Sequence, residues 1–350
     1  MKKFWINLGV SVAVGALFVW LAVRGVEWGE VLDAFSRVNP MMLVAYFFVA
    51  CVIEALRIFR WGILLKPLGR IPLMRLFTAG AVGFMALMLL PLRLGEFARP
   101  ILVAERGKIR VSAALATVVV ERAIDALAMT SLLVVLLFLL GDRILVPVHL
   151  QTWSYVILVL FVLLLGFLVL AYRRQEPTVA WFRRLVAPLS QRVADRLASV
   201  LHSFIDGLKA LPNARLLAGF LLMTVVYWLV SGAGMVYLFG AFDELGSLGW
   251  VEGFTVLAVL CVGLIIPAGP GMIGNFHYFV KLGLSLFVAE AALGSAGLAY
   301  AVVLHGIQLG QQLLVGIVFL FVGQVSFRRI LSAPTDVGSG LDTGADRQGD

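Results

Sequence analysis

Runs of apolar residues long enough to cross a lipid bilayer recur along the whole chain, and they restrict it to one kind of fold. A spanning helix needs about 20 apolar residues. Runs of that order lie at 6–23, 40–60, 112–140, 153–172, 214–240 and 298–324. Lipid offers no partner to a backbone N–H or C=O, so such segments must be helical. Hydrophobic residues make up 61% of the chain and charged ones 14%, against roughly 45–50% and 25% in soluble domains. An all-α polytopic integral membrane protein is expected. Two further apolar stretches, 73–92 and 252–289, are interrupted by Pro91 and by Pro267-Ala-Gly-Pro-Gly271. With these included, about eight membrane helical segments are expected. The first run follows Lys2 and Lys3 and reads as an uncleaved anchor, because it is long and no A-x-A site follows.

Several function classes drop out. Cys51 and Cys261 both sit in apolar runs, which excludes a disulfide framework and a Cys-based zinc site. The four histidines show no metal-ligand spacing, and no P-loop, G-x-S-x-G or nucleotide signature is present. No metal, cofactor or catalytic residue is assigned, and the chain is not expected to be an enzyme. The formal charge of +8 would suggest nucleic acid in a soluble protein. Here no nucleic-acid partner is expected, because cytoplasmic loops of membrane proteins collect Lys and Arg.

Those basic residues orient the chain. They cluster at Lys2 and Lys3, in 57–75, in 93–110, in 173–215, and at Arg328, Arg329 and Arg347. Placing these five segments in the cytoplasm accounts for 23 of the 28 basic residues; Arg122 and Lys281 lie within apolar runs, and only Arg24, Arg37 and Arg143 are left outside. Both termini are then cytoplasmic, in the cell (inner) membrane. Segments 57–75 and 93–110 fall on the same side, so 73–92 enters from the cytoplasm and turns back. By the same logic 252–289 enters from outside and turns back. Two oppositely oriented re-entrant hairpins are expected, each turning at its prolines.

The two hairpins share a pattern. Leu89-Leu-Pro91-Leu-Arg-Leu-Gly95 and Ile265-Ile-Pro267-Ala-Gly-Pro-Gly271 both read aliphatic-aliphatic-Pro-x-x-x-Gly. A span precedes each and a long one follows, with opposite starting sides. That arrangement suggests an inverted repeat, about 40–140 and about 214–324, with broken helices meeting near the midplane as in transporters; two unrelated Pro-kinked hairpins are the plainer account. Gly95, Gly269, Gly271 and Gly274 would permit the tight turns.

Polar residues within apolar runs mark function by default. Glu121, Arg122 and Asp125 lie about ten residues into a span, roughly 15 Å deep. They fit either a self-neutralised structural ion pair or a headgroup site in which Arg122 is poised by its carboxylates. Arg93, Glu96 and Arg99 follow Pro91 at spacing three, either as a lipid-contacting flank or as phosphate ligands. Asn275 and His277 follow Gly274 and would face the cavity. His305, Gln308 and Gln312 share one face of the last span, for interhelical hydrogen bonds or for substrate. Glu54 and Arg57 read as a simple ion pair, and Lys281 as a snorkelling side chain.

The remaining segments are peripheral. Apolar residues recur at helical spacing through 177–211, from Phe182 and Leu185 to Phe204 and Leu208, with Arg and Asp between them. This stretch reads as an amphipathic cytoplasmic linker between the repeats. Residues 24–39 suggest a short outer helix. The transmembrane domain would end near 332, and the polar, Gly-rich 333–350 is expected to be a disordered cytoplasmic tail.

Leu90-Pro-Leu-Arg-Leu-Gly-Glu-Phe-Ala-Arg99 followed by Val120-Glu-Arg-Ala-Ile-Asp125 resembles the flippase-like domain family, also called the lysylphosphatidylglycerol synthase transmembrane region. Pro91, Arg93, Gly95, Glu96, Arg99, Glu121, Arg122 and Asp125 match its P-x-R-x-G-E-x-x-R and E-R-x-x-D patterns. Pro267 to Gly274 resembles its second Pro/Gly-rich signature, with Asn275 and His277 where the family often carries an acidic residue. The resemblance implies translocation of a lipid with a polar or anionic headgroup: a phospholipid, an aminoacyl-phospholipid or a polyprenyl or glycolipid. No polar segment is long enough for the soluble synthase domain that accompanies the family elsewhere, so translocation without synthesis is implied. A lipid-modifying enzyme or glycosyltransferase is the partner the resemblance implies. The competing reading is a membrane enzyme or accessory subunit acting on lipid-linked sugars, with Glu96, Glu121 and Asp125 as acid/base or metal-binding groups.

The topology has a direct test. In a background free of Cys51 and Cys261, a cysteine at position 105 should react with a membrane-impermeant thiol reagent only from the cytoplasmic side. Labelling from outside alone would refute the orientation.

Overall fold

The computed structural model describes residues 2–104, 109–141, 147–188, 190–209, 213–266 and 269–323. Pro267 and the tail at 333–350 lie outside the described residues. Helices and turns account for the described residues, with no strand among them. Five helical stretches are long and apolar enough to cross a bilayer: Pro40–Leu68, Val111–Leu140, Leu150–Arg173, Ala214–Phe239 and Glu290–Val322. A sixth would be the N-terminal helix α1 (Lys2–Val23) taken with α2 (Trp28–Ser36), two pieces bent 83° apart.

The spans begin where local chemistry favours a helix start. In α3 (Pro40–Leu65), Pro40 occupies the first turn, where its missing N–H costs nothing, and Asn39 caps it by accepting from Met41 N at 3.0 Å. Asn213 caps α10 (Ala214–Phe239) by accepting from Leu216 N at 3.1 Å. Apolar side chains on α7 (Val148–Arg173) that no neighbour covers, such as Val148 and Leu163, are what a lipid-facing helix presents.

The two interrupted stretches both fold back. The first is α4 (Leu73–Leu89), a 3-10 segment at Pro91–Phe97, and α5 (Ala98–Ala104). Gly83 faces the Arg99 side chain and Gly95 faces the backbone of Ala86 and Leu87, so the returning chain runs antiparallel to α4. In the second, α11 (Trp250–Gly263) is followed by a 3-10 turn at Pro270–Met272 and α12 (Asn275–Leu284). Here Gly263 faces Phe279 and Val256 faces Gly283, again antiparallel. With 17 and 14 residues, α4 and α11 reach about 25 and 21 Å, short of a bilayer core of about 30 Å.

Around these elements the packing is paired. One set comprises α3, α4, α5 and α6 (Val111–Leu140). The other comprises α10, α11, α12 and α14 (Leu298–Val322), which is entered through the one-turn α13 (Glu290–Ala292) and a π-helical turn. In the first set α3 packs on α4, α4 on α5, α5 on α6 and α3 on α6; in the second α10 packs on α11, α11 on α12, α12 on α14 and α10 on α14. Across the sets α3 lies along α10, α4 against α14, and α11 against α6. The exchange is imperfect, since α14 also leans on α3 whereas α6 and α10 hardly meet.

The structure shifts the register of the Pro/Gly match by three residues. Arg93 has φ +59° and Met272 has φ +55°, both left-handed. Each lies two residues after a proline and two before a glycine packed on backbone: Pro91 and Gly95 in one break, Pro270 and Gly274 in the other. The Pro91-to-Gly95 segment therefore corresponds in shape to Pro270-to-Gly274, not to Pro267-to-Gly271. A Cβ on Gly274 would lie 2.3 Å from Gly15 O on α1, and Lys281 Nζ donates to Ala22 O at 2.6 Å. Lys281 thus binds the carbonyl end of α1, where a cation is favourable, and α1 is part of the packed bundle. The linker forms α8 (Gln175–Val186) and α9 (Gln191–Lys209), and α9 rests on α6.

A Cβ on Gly95 would fall 2.1 Å from Leu87 N, backbone that cannot step aside. Gly95→Ala should therefore reduce folded protein sharply in detergent size-exclusion and thermal-melt assays, whereas Gly166→Ala, in open space, should not.

Candidate functional site

A buried charge cluster sits where α3, α5 and α6 converge. Arg60, on α3 and fully buried, donates from Nη1 and Nη2 to both oxygens of Asp125 at 2.5 and 2.8 Å, and to Glu121 Oε1 at 2.9 Å. Its Nη1 also reaches Thr224 Oγ1 on α10 at 3.4 Å. Arg99 on α5, buried under Trp61 and Phe84, donates to Glu121 Oε2 at 3.0 Å. Gly83 leaves the space through which the Arg99 stem passes. Arg122 donates to Glu121 Oε1 at 2.9 Å and lies 3.5 Å from Asp125 and 4.0 Å from Glu96. Three guanidinium groups thus share two deeply buried carboxylates. The surplus positive charge falls on Arg122, the one of the three whose side chain is partly exposed, at 29%.

That exposed side opens on a cavity of about 510 Å³, within the range that holds a headgroup-sized ligand. Its wall takes residues from both interrupted stretches, Arg93, Glu96 and Met272 among them, and from α3, α6, α10, α11 and α14. Arg93, in strained left-handed backbone, lies 3.9 Å from Glu96 and is 30% exposed. Arg57 also lines the cavity, its guanidinium 3.9 Å above the Phe84 ring.

The residues singled out from sequence divide into three groups. Arg93, Glu96, Arg122, Asp125, His305 and Gln308 line the cavity. Glu121 and Arg99 lie behind its wall, fully paired. Asn275 and His277 hold the second break: Asn275 Nδ2 donates to Ile266 O at 3.3 Å, and Gly274 N–H donates to His277 Nδ1 at 3.4 Å. His305 ties the same turn by donating from Nε2 to Gly271 O at 2.8 Å, its ring stacked on Phe276. Gln308 donates to the Tyr46 hydroxyl at 2.9 Å.

Two readings change, and a third gains a partner. Glu54 and Arg57 are not an ion pair: Gln311 Nε2 donates to Glu54 Oε2, and Arg57 lies over Phe84. Asp125 keeps the ion pair with Arg122 that its spacing suggested, at 3.5 Å, but its hydrogen bonds go to Arg60 through both oxygens. Arg60 itself looked like part of a cytoplasmic basic flank, yet it is the cation on which the cluster closes. Its signal was present: Arg60 follows Glu54 and Arg57 at helical spacing, inside a helix that continues to Leu65.

The sequence profile of the family described as Lysylphosphatidylglycerol synthase TM region matches residues 8–316. The chain belongs to this family. The match takes in α3 through α12 and most of α14, with all the charged cavity residues. No curated protein and no solved structure matches the chain. Membership in the lysylphosphatidylglycerol synthase transmembrane family fits a multi-pass membrane protein that acts on lipids.

The pairing separates two arginines that sequence treats alike. Arg60→Met would take both hydrogen bonds to a cation from Asp125 and one of three from Glu121, at about 3–5 kcal/mol, and should lower the thermal midpoint of the purified protein markedly. Arg122→Met leaves both carboxylates held by Arg60 and Arg99, so its midpoint should stay close to that of the parent.

Proposed function

We propose that the chain moves lipids with a phosphate-bearing anionic headgroup between the leaflets of the cell membrane. One observation carries this reading: both interrupted stretches wall a single cavity, and the cations that reach it, Arg57, Arg93 and Arg122, outnumber the carboxylates left to neutralise them. On this reading α4–α5 and α11–α12 are re-entrant hairpins of opposite orientation. The paired packing of the two helix sets and the shared Pro-x-x-x-Gly shape of the breaks support an inverted repeat. A break within the membrane is tolerable because its backbone groups face a polar cavity rather than lipid. Both termini then lie in the cytoplasm, with α8 and α9 on that face.

The headgroup would enter the cavity while its acyl chains stay in lipid. Arg122 and Arg93 suit the phosphate because a guanidinium presents two parallel donors, and such contacts are among the strongest a side chain makes. The phosphate would replace for Arg122 the charge that Glu121 must share with two other arginines.

Purified protein in liposomes should scramble a fluorescent phosphatidylglycerol without altering it chemically. Losing one charge-assisted contact costs about 1.5–3 kcal/mol, so Arg122→Met and Arg93→Gln should each slow scrambling roughly ten- to hundredfold while remaining folded. Arg122→Lys should be impaired as well. Scrambling at the parent rate in folded Arg122→Met and Arg93→Gln would place the headgroup elsewhere, and a chemically changed lipid would favour the enzyme reading.

A further inference from the structure

Glu54 has no part in the arginine cluster, yet it faces the same cavity. It lies on α3 one turn before Arg57 and is 3% exposed. Its Oε2 accepts from Gln311 Nε2, while Oε1 is out of solvent and without a hydrogen-bond partner. Glu96, Glu121 and Asp125 each lie within 4.0 Å of an arginine; among the described residues Glu54 has no such ion pair. Arg57 is in the matching situation. It forms no ion pair among the described residues, and its Nε is buried without a partner. A carboxylate and a guanidinium thus stand one helical turn apart on α3, with no ion pair between them. Gln312, also on the cavity wall, has its Oε1 buried without a donor, an acceptor suited to a carboxylic acid O–H.

We propose that Glu54 is a proton-binding site coupled to headgroup occupancy, taking up one proton when a lipid phosphate engages Arg57 and its neighbours. The proposal rests on the anionic-headgroup reading of the cavity. An ionised carboxylate buried with one neutral donor is costly, and in the empty cavity the Arg57 charge offsets that cost. A phosphodiester drawn to Arg57 takes over this charge and adds a negative one. Glu54 then gains a proton from water, Oε1 becomes a donor, and the lipid anion and its proton together carry no net charge across the bilayer. Coupling of this kind is reciprocal: protonated Glu54 binds the anion more tightly.

The other titratable and charged groups around Glu54 are accounted for. Arg57 and Cys51 lie on its own helix. Tyr46, on the same helix, accepts from Gln308. Arg122 and Asp125 face it from α6, with Glu121 behind them and both carboxylates held by Arg60. Arg93 and Glu96 come from the first break, Tyr227 from α10, Cys261 from α11 and His305 from α14. Of these, His305 and Glu96 are the rival proton sites.

The experiment is calorimetric titration of the purified protein with dihexanoyl phosphatidylglycerol, in buffers of different ionisation heat and at several pH values. Binding should take up as much as one proton per lipid. Affinity should fall as pH rises, by at most tenfold per pH unit for a single coupled proton. E54Q should bind the lipid with no proton uptake and an affinity flat with pH. Binding without uptake by the unsubstituted protein overturns the Glu54 proposal and leaves lipid translocation standing. Undiminished uptake in E54Q overturns it too and moves the proton to His305 or Glu96. Failure to bind phosphatidylglycerol at all removes both readings.

Discussion

Arg60 is a full charge with no water to solvate it, and its neighbours follow from that. A buried guanidinium is tolerable only when paired and hydrogen-bonded. Asp125 meets it with both oxygens and Glu121 with one. Two carboxylates bring more negative charge than one arginine cancels, which explains why Arg99 and Arg122 converge on Glu121. The result ties α3, α5 and α6 together through side chains that have nowhere else to go, and α5 is held there although it is only seven residues long. Buried ion pairs are weak as net stabilisers but strong as specifiers of one arrangement in some proteins. Here the cluster fixes where the first break ends, and so where Arg93 and Arg122 meet the cavity.

The fold was legible from sequence to the extent that lipid imposes it. Apolar runs and their lengths located the long helices, because a backbone in lipid has no alternative to helix. The prolines and glycines located both breaks. Less accessible was the register of the second break. Pro267 and Pro270 each stand four residues before a glycine, and only the left-handed backbone at Met272 and the contact of Gly274 with α1 select the second. Nor could a pattern read along one helix reveal which partner each charge takes. Asp125 sits one turn from Arg122, and local spacing rightly paired them at 3.5 Å; the partner that takes both its oxygens is 65 residues away on α3. Arg60 was hidden by its own composition, since a basic residue near a span end reads as a cytoplasmic flank unless the helix is known to run on past it.

Among the described residues, every charge that lines or underlies the cavity comes from residues 54 to 125, in the first helix set. The second set offers amides, a hydroxyl and an imidazole: Gln308, Gln311, Gln312, Ser231 and His305. The contacts joining the two sets at the cavity are accordingly neutral or singly charged hydrogen bonds, from Gln308 to Tyr46, from Gln311 to Glu54 and from Arg60 to Thr224. Separating two fully charged partners in a low-dielectric site costs far more than parting an amide from a hydroxyl. Displacement of one set against the other would therefore leave the arginine cluster intact and break only the weaker bonds. On the proposed translocation reading, charges confined to one wall would let a headgroup keep its arginines while the opposite wall changes its seal, as alternating access demands. Glu54 is the exception within this division. Among the described residues it is the one carboxylate in the first set whose hydrogen-bond partner, Gln311, belongs to the second, so the protonation proposed for it would bear directly on how firmly the two walls hold together.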